Sequence, residues 1–374
     1  MGAMKDRVAF AILIGSQIMK SSVSAAFVVG AVRVQPLGPY LVRIEVRGPK
    51  GFEERETFTV ADRAGEPVAA REIRGTGETT VATAHYRVVV PESAAGFAGV
   101  RVEDAAGETA CELSGAMLDK KFLPAPSALP AVWVLGDAPR VVPPAWGALP
   151  PPDGAEDATS GWDLTNDAPD AYVFFPRAAG YARFRADFLR LTGGIPLVPL
   201  YALGLWYSRY FAYSEETAVA VIDRFRQENI PLDVFVADTD WRVGASCGYA
   251  VNEALFPDMA RFVRQAHARQ VRIMLNDHPE PKGKSALDPE ELRFRRNGLV
   301  SLLEKGVDLW WFDRNWHTHL QAPAPGLDKE VWGMRLYRDV TQAFRPERRP
   351  LIMSNVDGIN NGRRDAPSHP AAHR

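Results

Sequence analysis

The sequence has few of the residues that mark several large classes of protein. Its 374 residues include two cysteines, Cys111 and Cys247, which are too few for a disulfide framework, and no Cys/His spacing indicates a zinc site. Lysine and arginine total 44 against 46 aspartate and glutamate, a formal net charge of -2. Without a basic field to hold a phosphate backbone, we expect no nucleic-acid partner. No run reaches the roughly 18 consecutive apolar residues of a membrane span, so we expect no membrane partner.

The remaining composition is that of an ordinary globular protein. Hydrophobic residues make up 46% of the chain and charged residues 24%, which argues against a disordered or coiled-coil protein. The length exceeds the ~100–200 residues of one typical domain, so we expect a large single fold or two domains. The pattern indicates no particular oligomeric state.

Residues 1–26 form a separate segment, either a signal peptide or an extension. Lys5 and Arg7 precede an apolar run at residues 8–19, and a small-residue pattern typical of a cleavage site follows. Polar residues interrupt this run, so an upstream extension with the true start at Met19 is equally well supported. A cytoplasmic and a secreted or periplasmic location therefore both stay open.

The first half of the chain has the pattern of an antiparallel β-sandwich. Runs such as residues 40–46 and 86–90 are short and rich in β-branched residues, and turn clusters such as 48–51 separate them. A stretch rich in proline, alanine and glycine at residues 124–152 is expected to be an irregular surface connection. We predict an N-terminal sandwich domain, including this connection, over residues 27–195.

After about Gly193, strands alternate with helical patterns, which indicates parallel β-α units. The predicted strands are residues 203–210, 232–240, 271–276, 307–313 and 351–356, and the predicted helices begin near Ser214, Pro257, Pro289 and Val331. Five such units indicate either a TIM barrel or an open doubly wound sheet. We predict a second domain over residues 196–374, as a partial (β/α)8 barrel with about strands 1–5.

Polar side chains stand at the C-terminal ends of four predicted strands. They are Asp238 and Asp240 on strand 2, Asn276 and His278 on strand 3, Asp313 on strand 4, and Asn355 and Asp357 on strand 5. Barrel active sites lie at this end of the strands, and strand alternation places these residues on one face. A single terminal aspartate is usually a cap or a surface residue, but four strands together indicate a site.

Aromatic residues are concentrated near the same strand ends. They are Trp206, Tyr207, Tyr210, Trp241, Trp310, Trp311 and Trp316. Carboxylates between aromatic rings suit a sugar, whose C–H faces pack on rings while its hydroxyls bond to acids and amides. Trp310 and Phe312 alternate away from Asp313, so we expect these two to pack against covering helices instead.

Four runs in this order resemble the corresponding motifs of glycoside hydrolase family 31. They are YALGLWYSRY at residues 201–210, IPLDV at 230–234 leading to DTDW at 238–241, FPD at 256–258, and GVDLWWFD at 306–313. The resemblance extends from about residue 27 to the end of the chain. The family consists mainly of α-glucosidases, α-xylosidases and related transglycosidases, so the resemblance implies an oligosaccharide or α-glycoside as substrate. It also implies a β-sandwich followed by a (β/α)8 barrel.

The resemblance further implies retaining hydrolysis through a covalent glycosyl-enzyme, with two carboxyl groups roughly 5–5.5 Å apart. By position, Asp313 matches the nucleophile, and Asp238 matches the acid that bonds to sugar hydroxyls. The other expected substrate-binding residues are Asp240, Trp241, Asn276, His278, Trp311 and Arg314. Arg314 and Asn315 depart from the family's usual acidic continuation after the nucleophile, which leaves the identity of the sugar and its linkage open.

The general acid/base of the family is an aspartate at the end of strand 6, shortly after a segment that resembles residues 368–374. We therefore expect a fragment that lacks this acid and does not itself hydrolyse glycosides. Asp357 could replace the acid geometrically, but the family does not use this position. The alternative function is a catalytically inactive carbohydrate-binding or scaffold protein that keeps the aromatic strand ends.

Several other features are expected to be structural. His317 and His319 suggest a metal site, but metal-dependent barrel hydrolases place such pairs after strand 1, so we expect no metal and no cofactor. Cys247 has no histidine nearby in sequence and is expected to be structural. The arginine pairs at 295–296, 348–349 and 363–364 are expected to form exposed surfaces.

Overall fold

The computed structural model describes residues 25–57, 59–114, 123–137, 169–194, 197–244, 248–277, 289–313 and 329–354. These ranges contain fifteen strands in three sheets of five. Two antiparallel sheets come first in the chain, and a parallel sheet follows. No helix in these ranges is long and apolar enough to cross a membrane.

The antiparallel sheets contain ten strands. In chain order these are β1 (Phe27–Val29), β2 (Val32–Gly38), β3 (Leu41–Val46), β4 (Arg71–Arg74), β5 (Glu78–Ala82), β6 (Tyr86–Pro91), β7 (Arg101–Asp104), β8 (Thr109–Glu112), β9 (Trp133–Asp137) and β10 (Asp170–Phe174). The first sheet has the order β1-β2-β3-β10-β9, and the second has the order β4-β5-β6-β7-β8. Gly30 makes the turn from β1 to β2 at a φ of 58°, where a Cβ atom would lie 2.8 Å from the carbonyl oxygen of Ala94.

The two antiparallel sheets bury a common apolar face. Val34 and Ile44 of the first sheet and Val88 and Val102 of the second are fully buried in one cluster. Side chains from two sheets that interdigitate in this way form the core of a β-sandwich. The observed sheets therefore fit the N-terminal sandwich that the sequence predicts.

A helix covers the opposite face of the first sheet. Helix α1 (Pro176–Ala179) is a single turn, and α2 (Tyr181–Thr192) follows it. Phe184 and Phe188 of α2 pack against Trp133, with ring centroids 5.6 and 6.0 Å apart. Because both faces of this sheet are covered, β2, β3 and β10 are buried along their whole length.

Strand β9 corrects the prediction of an irregular surface connection over residues 124–152. Trp133, Val134 and Leu135 are buried, and β9 pairs with all five residues of β10. The short apolar run outweighs the surrounding prolines, since pairing satisfies its backbone while the cores on both sides take its side chains.

The first sheet also buries a charged cluster. The Arg43 guanidinium lies 2.8 Å from the Asp170 carboxylate and 3.2 Å from that of Glu45, and all three side chains are at most 2% exposed. The Thr57 hydroxyl donates a hydrogen bond of 2.8 Å to Asp137. Burial, together with the negative charge of Asp170, raises the pKa of Asp137 to about 6. This part of the sandwich is therefore held by ion pairs as well as by apolar contacts.

The parallel sheet and its helices make up the second half of the described chain. The strands are β11 (Trp206–Ser208), β12 (Val234–Ala237), β13 (Arg272–Asp277), β14 (Leu309–Phe312) and β15 (Ile352–Ser354), and the helices are α3 (Glu215–Gln227), α4 (Met259–Ala268), α5 (Pro289–Glu304) and α6 (Lys329–Phe344). The strands are neighbours in sequence order, β11 to β15. A doubly wound sheet reverses its order at a switch point, whereas a TIM barrel does not, so this sheet fits a partial TIM barrel.

Local signals set the ends of these elements. Helix α3 begins after Ser214, as the sequence predicts, and Ser214 caps it in a reciprocal capping box with Thr217. Helix α4 begins at Met259 rather than near Pro257, because the Asp258 carboxylate accepts the backbone N–H of Arg261 and so acts as the cap. The predicted first strand is shorter than expected, since Leu200–Leu203 form a 3-10 turn.

The two faces of the parallel sheet bury different residues. Trp310 and Phe312 are fully buried on the outer face, with ring centroids 6.0 and 5.2 Å from that of Tyr337 in α6. This packing confirms the predicted orientation of both residues. On the inner face, Val236 and Leu309 belong to a separate buried cluster.

One predicted surface residue is buried. Arg295, expected in an exposed pair, is 1% exposed and bonds to the Glu291 carboxylate at 2.9 Å within α5. An acid four residues earlier neutralises the guanidinium, which allows it to lie inside the packed helix layer. Arg348, in contrast, is exposed as predicted.

Candidate active site

Three neighbouring strands bring polar side chains together at the C-terminal end of the parallel sheet. Asp238 directly follows β12, Asn276 lies near the end of β13, and Asp313 directly follows β14. These three residues are 8%, 2% and 7% exposed, respectively. Buried polar groups of this kind must be hydrogen-bonded to be tolerated, so their contacts define the site.

The Asn276 carboxamide joins the two acids. Its Nδ2 atom donates to Asp238 Oδ1 at 2.8 Å and to Asp313 Oδ2 at 3.2 Å. The two protons of one NH2 group therefore serve two carboxylates, which holds them close together. The Oδ1 atom of Asn276 is buried without a hydrogen-bond partner among the described residues, so an acceptor remains for a ligand hydroxyl.

Asp238 has a local role in addition to this contact. Its Oδ1 atom accepts the backbone N–H of Thr239 at 2.8 Å and caps a 3-10 turn at Thr239–Trp241. Strand β12 ends at Ala237, so the strand alternation predicted through Asp240 does not apply there. Asp240 lies on the turn and is half-buried.

The two predicted tryptophans occupy different environments. Trp241 is 1% exposed, and its Nε1–H donates to the Asn276 carbonyl oxygen at 2.7 Å. Trp241 therefore supports β13 from within the core. Trp311 is half-buried and packs against the inner cluster that contains Leu309.

Several predicted residues lie outside the described ranges. They are His278, Arg314, Trp316, His317, His319, Asn355, Asp357 and Cys247. Within the described ranges, no group of three or more His, Cys, Asp or Glu side chains could hold a metal ion.

A buried network behind the site was not predicted. The Asp277 carboxylate accepts hydrogen bonds from the Arg242 guanidinium and from the Tyr337 hydroxyl. The Tyr337 and Tyr249 hydroxyls are 3.0 Å apart. Burial raises the pKa of Tyr249 to about 12 and that of Tyr337 well above its usual value, so both stay protonated. Alternation along β13 could have indicated that Asp277 points away from Asn276, but the partners of Asp277 are far away in sequence.

This network fixes the backbone that carries the site. The carbonyl oxygen of Asp277 accepts the backbone N–H of Asp313 at 2.9 Å, while Asn276 accepts the Trp241 indole. The successive carbonyl groups of Asn276 and Asp277 are therefore held from both neighbouring strand ends. Such support keeps the three polar side chains in one geometry, which a catalytic site would need.

Known proteins resemble this chain most clearly in the parallel sheet. Residues 195–342 match the family model described as "Glycosyl hydrolases family 31 TIM-barrel domain". The α-xylosidase XylQ of Lactiplantibacillus pentosus is 33% identical over 129 residues, which cover 34% of this chain and 16% of that protein. An α-xylosidase of Saccharolobus solfataricus is 32% identical over 147 residues, which cover 33% of this chain and 20% of that protein.

Solved structures show the same fold over a longer stretch. A family 31 α-xylosidase of Xanthomonas citri superimposes with a TM-score of 0.62 at 13% identity, over 91% of this chain and 64% of that chain. A family 31 dextranase of Flavobacterium johnsoniae, solved with isomaltotriose, superimposes with a TM-score of 0.55 at 13% identity, over 88% and 54%. This chain thus matches less than two thirds of each of these relatives.

Proposed function

We propose that this chain, whose residues 195–342 match the barrel domain of glycoside hydrolase family 31, carries the nucleophile of a retaining α-glycosidase site. The observation that carries this proposal is the Asn276 amide, which bonds to two buried carboxylates at the ends of neighbouring parallel strands. All three residues lie inside the region that matches the family's barrel domain. Active sites of such barrels form at this end of the strands.

In this proposal Asp313 is the nucleophile. One of its carboxylate oxygens attacks the anomeric carbon while a general acid protonates the leaving oxygen, which gives a glycosyl ester and a free alcohol. A water molecule, deprotonated by the same acid/base group, then attacks the anomeric carbon and releases the sugar and the Asp313 carboxylate. None of the described residues is assigned the acid/base role.

Asp238 and Asn276 bind the sugar rather than react with it. The Asp238 carboxylate accepts a hydrogen bond from a sugar hydroxyl, and Asn276 Oδ1 accepts another. These contacts orient the anomeric carbon toward Asp313. The α-xylosidases among the relatives support an α-xyloside or xylose-containing oligosaccharide as the substrate.

The test is covalent trapping with an α-xylosyl fluoride that carries a second fluorine to slow hydrolysis of the ester. Fluoride leaves without protonation, so trapping does not require the general acid. Peptide mapping by mass spectrometry is expected to find the xylosyl group on Asp313. The Asp313→Asn variant should take up no label, whereas Glu216→Gln, an exposed carboxylate on α3, should label like the unchanged chain.

The outcome also separates catalysis from binding. A label on another residue contradicts the assignment of Asp313. An unlabelled chain that still binds an iminosugar in a calorimeter contradicts catalysis and supports the alternative, a carbohydrate-binding or scaffold protein.

A further inference from the structure

A cavity of about 560 Å³ opens at the N-terminal end of the parallel sheet, opposite the end that carries Asp313. Its lining includes residues just before β11, β14 and β15, the first residue of β13, and the end of α6 with the loop that follows. We name this cavity the arginine pocket after four of its lining residues: Arg272, Arg345, Arg348 and Arg349. The proposed glycosidase site makes no use of it.

The described lining of the arginine pocket carries an excess of positive charge. Its four arginines face two carboxylates, Asp308 and Glu347. Asp308 is already engaged, because it accepts hydrogen bonds from His267 Nε2 at 2.7 Å, from Arg272 Nη1 at 3.1 Å and from the backbone N–H of Ile273 at 2.9 Å. Among the described lining residues, only the exposed Glu347 remains for the other three guanidinium groups, and its carboxylate lies 3.6 Å from the Arg348 guanidinium.

Arg345 shows the electrostatic consequence. Its Nη1 and Nη2 atoms donate to the carbonyl oxygens of Val307 and Leu303 at 2.8 and 3.0 Å, which fix the half-buried guanidinium in the pocket wall. Burial, and then the charges of Arg348 and Arg272, lower the pKa of Arg345, while Asp308 and Glu347 act in the opposite direction. The cationic form is therefore less stable here than in water, and a bound anion would relieve this.

Ordinary structural roles explain part of the arrangement. Arg345 satisfies carbonyl groups at and beyond the end of α5, and Arg272 pairs with Asp308 while its guanidinium lies 5.8 Å from the Tyr201 ring centroid. These contacts do not explain why Arg348 and Arg349 line the same cavity. Both are exposed. Within the described ranges, the ion pair of Arg348 is the exposed 3.6 Å contact with Glu347.

We propose that the arginine pocket binds an oxyanion of the phosphate or sulfate class. Planar guanidinium groups bind such anions with two parallel N–H···O bonds. The volume of the cavity leaves room for an organic group attached to the oxyanion. Because the pocket lies at the opposite end of the sheet, this site stands independently of the proposed glycosidase activity.

The test is isothermal titration of the full chain with inorganic phosphate at constant ionic strength. Saturable binding is expected, and Arg348→Ala with Arg349→Ala should weaken it by about tenfold for each charge-assisted hydrogen bond lost. Arg224→Ala, which removes an exposed arginine of α3, should bind phosphate unchanged. The double variant with lysine at positions 348 and 349 keeps the charge and should bind with intermediate affinity.

Further titrations distinguish a free inorganic oxyanion from an organic phosphate. Sulfate and glycerol phosphate are titrated under the same conditions, and tighter binding of glycerol phosphate identifies an organic phosphate as the preferred occupant. The proposal is overturned if the heat of titration depends only on ionic strength. It is also overturned if the unchanged chain and the double alanine variant bind phosphate with equal affinity. Both substitutions lie on an exposed loop, and the melting temperature of each variant checks that it folds.

Discussion

Two regions of this chain bury carboxylates, and they hold them in different ways. In the sandwich, the Arg43 guanidinium lies between Asp170 and Glu45, so a cation joins two acids. At the end of the parallel sheet, the neutral amide of Asn276 joins Asp238 and Asp313. In the first arrangement, the arginine partly neutralises the negative charge of the two acids. In the second, the amide positions the two carboxylates but carries no charge itself.

This difference separates a structural cluster from the proposed catalytic one. In the sandwich cluster, the arginine lies within ion-pair distance of both acids and engages their electron pairs, while burial still raises the pKa of Glu45. An amide donates a weaker hydrogen bond and adds no charge, so in the proposed mechanism it orients the carboxylate that attacks the anomeric carbon. The Arg242 guanidinium bonds to Asp277, whose side chain lies on the other side of the strand.

The largest expected effect comes from removing the cation of the sandwich. Arg43→Ala leaves Asp170 and Glu45 buried without their common partner, so we expect the free energy of unfolding to fall by about 3–5 kcal/mol. Urea unfolding followed by circular dichroism measures this loss. Arg74→Ala, which removes an exposed arginine of β4, should leave the midpoint unchanged. Equal effects of the two substitutions would show that the buried cluster is not structural.

The next effect comes from removing the amide of the site. Asn276→Ala separates Asp238 from Asp313 without adding charge, so the fluorosugar should label Asp313 about 100-fold more slowly, the consequence of a misplacement of about 1 Å. The measurement is the pseudo-first-order rate of labelling by mass spectrometry. Labelling at the original rate would mean that the amide does not position the nucleophile.

The pH dependence of stability tests the buried carboxylate Asp137 in the sandwich. The pKa of Asp137 in the folded chain, about 6, is above its ordinary value of 3.8, so the folded state binds this proton more tightly than the unfolded state. Stability should therefore increase as the pH falls from about 7 to about 4, and decrease as the pH rises through 6.

We expect Asp137 to contribute on the order of 2 kcal/mol to this change. Urea midpoints at several pH values measure the slope, and Asp137→Asn should flatten it. The same slope in this variant would assign the pH dependence to another group.

The smallest effect concerns the network behind the site. Tyr337→Phe removes the hydroxyl that donates to Asp277 but keeps the Arg242 contact, so we expect a loss of about 1 kcal/mol of stability. Thermal unfolding measures it. The labelling rate of Asp313 should change little, because the ion pair still fixes the strand. A large loss of labelling would place Tyr337 closer to the chemistry than its contacts indicate.

The central part of the site could be predicted because it depends on short-range rules. Parallel strands end at one edge of a sheet, so Asp238, Asn276 and Asp313 had to lie near one another once their strands were identified. Alternation also placed Trp310 and Phe312 correctly, on the outer face. The predicted strand alternation does not extend to Asp240, because a capped turn replaces the last residues of the predicted strand.

The features that were missed depend on contacts between distant parts of the chain. Nothing near Asp277 indicates that Tyr337, sixty residues away, donates to its carboxylate. Strand β9 is similar, since its proline-rich surroundings predict a loop and only pairing with β10 makes it a strand. To predict that Arg295 is buried, one must also know which face of α5 packs against the rest of the protein.

The shared nitrogen of Asn276 has a consequence for how this end of the sheet can change. Asp238 and Asp313 both bond to the Nδ2 atom of Asn276, which lies on the middle strand of three. The register of these strands fixes the position of that atom. Insertions into the segments beyond the strands can thus reshape what surrounds a ligand while the spacing of the acids stays the same. A substitution in β13 that slides the strand by one residue would instead move the carboxamide to the opposite face and leave the two acids without their common donor.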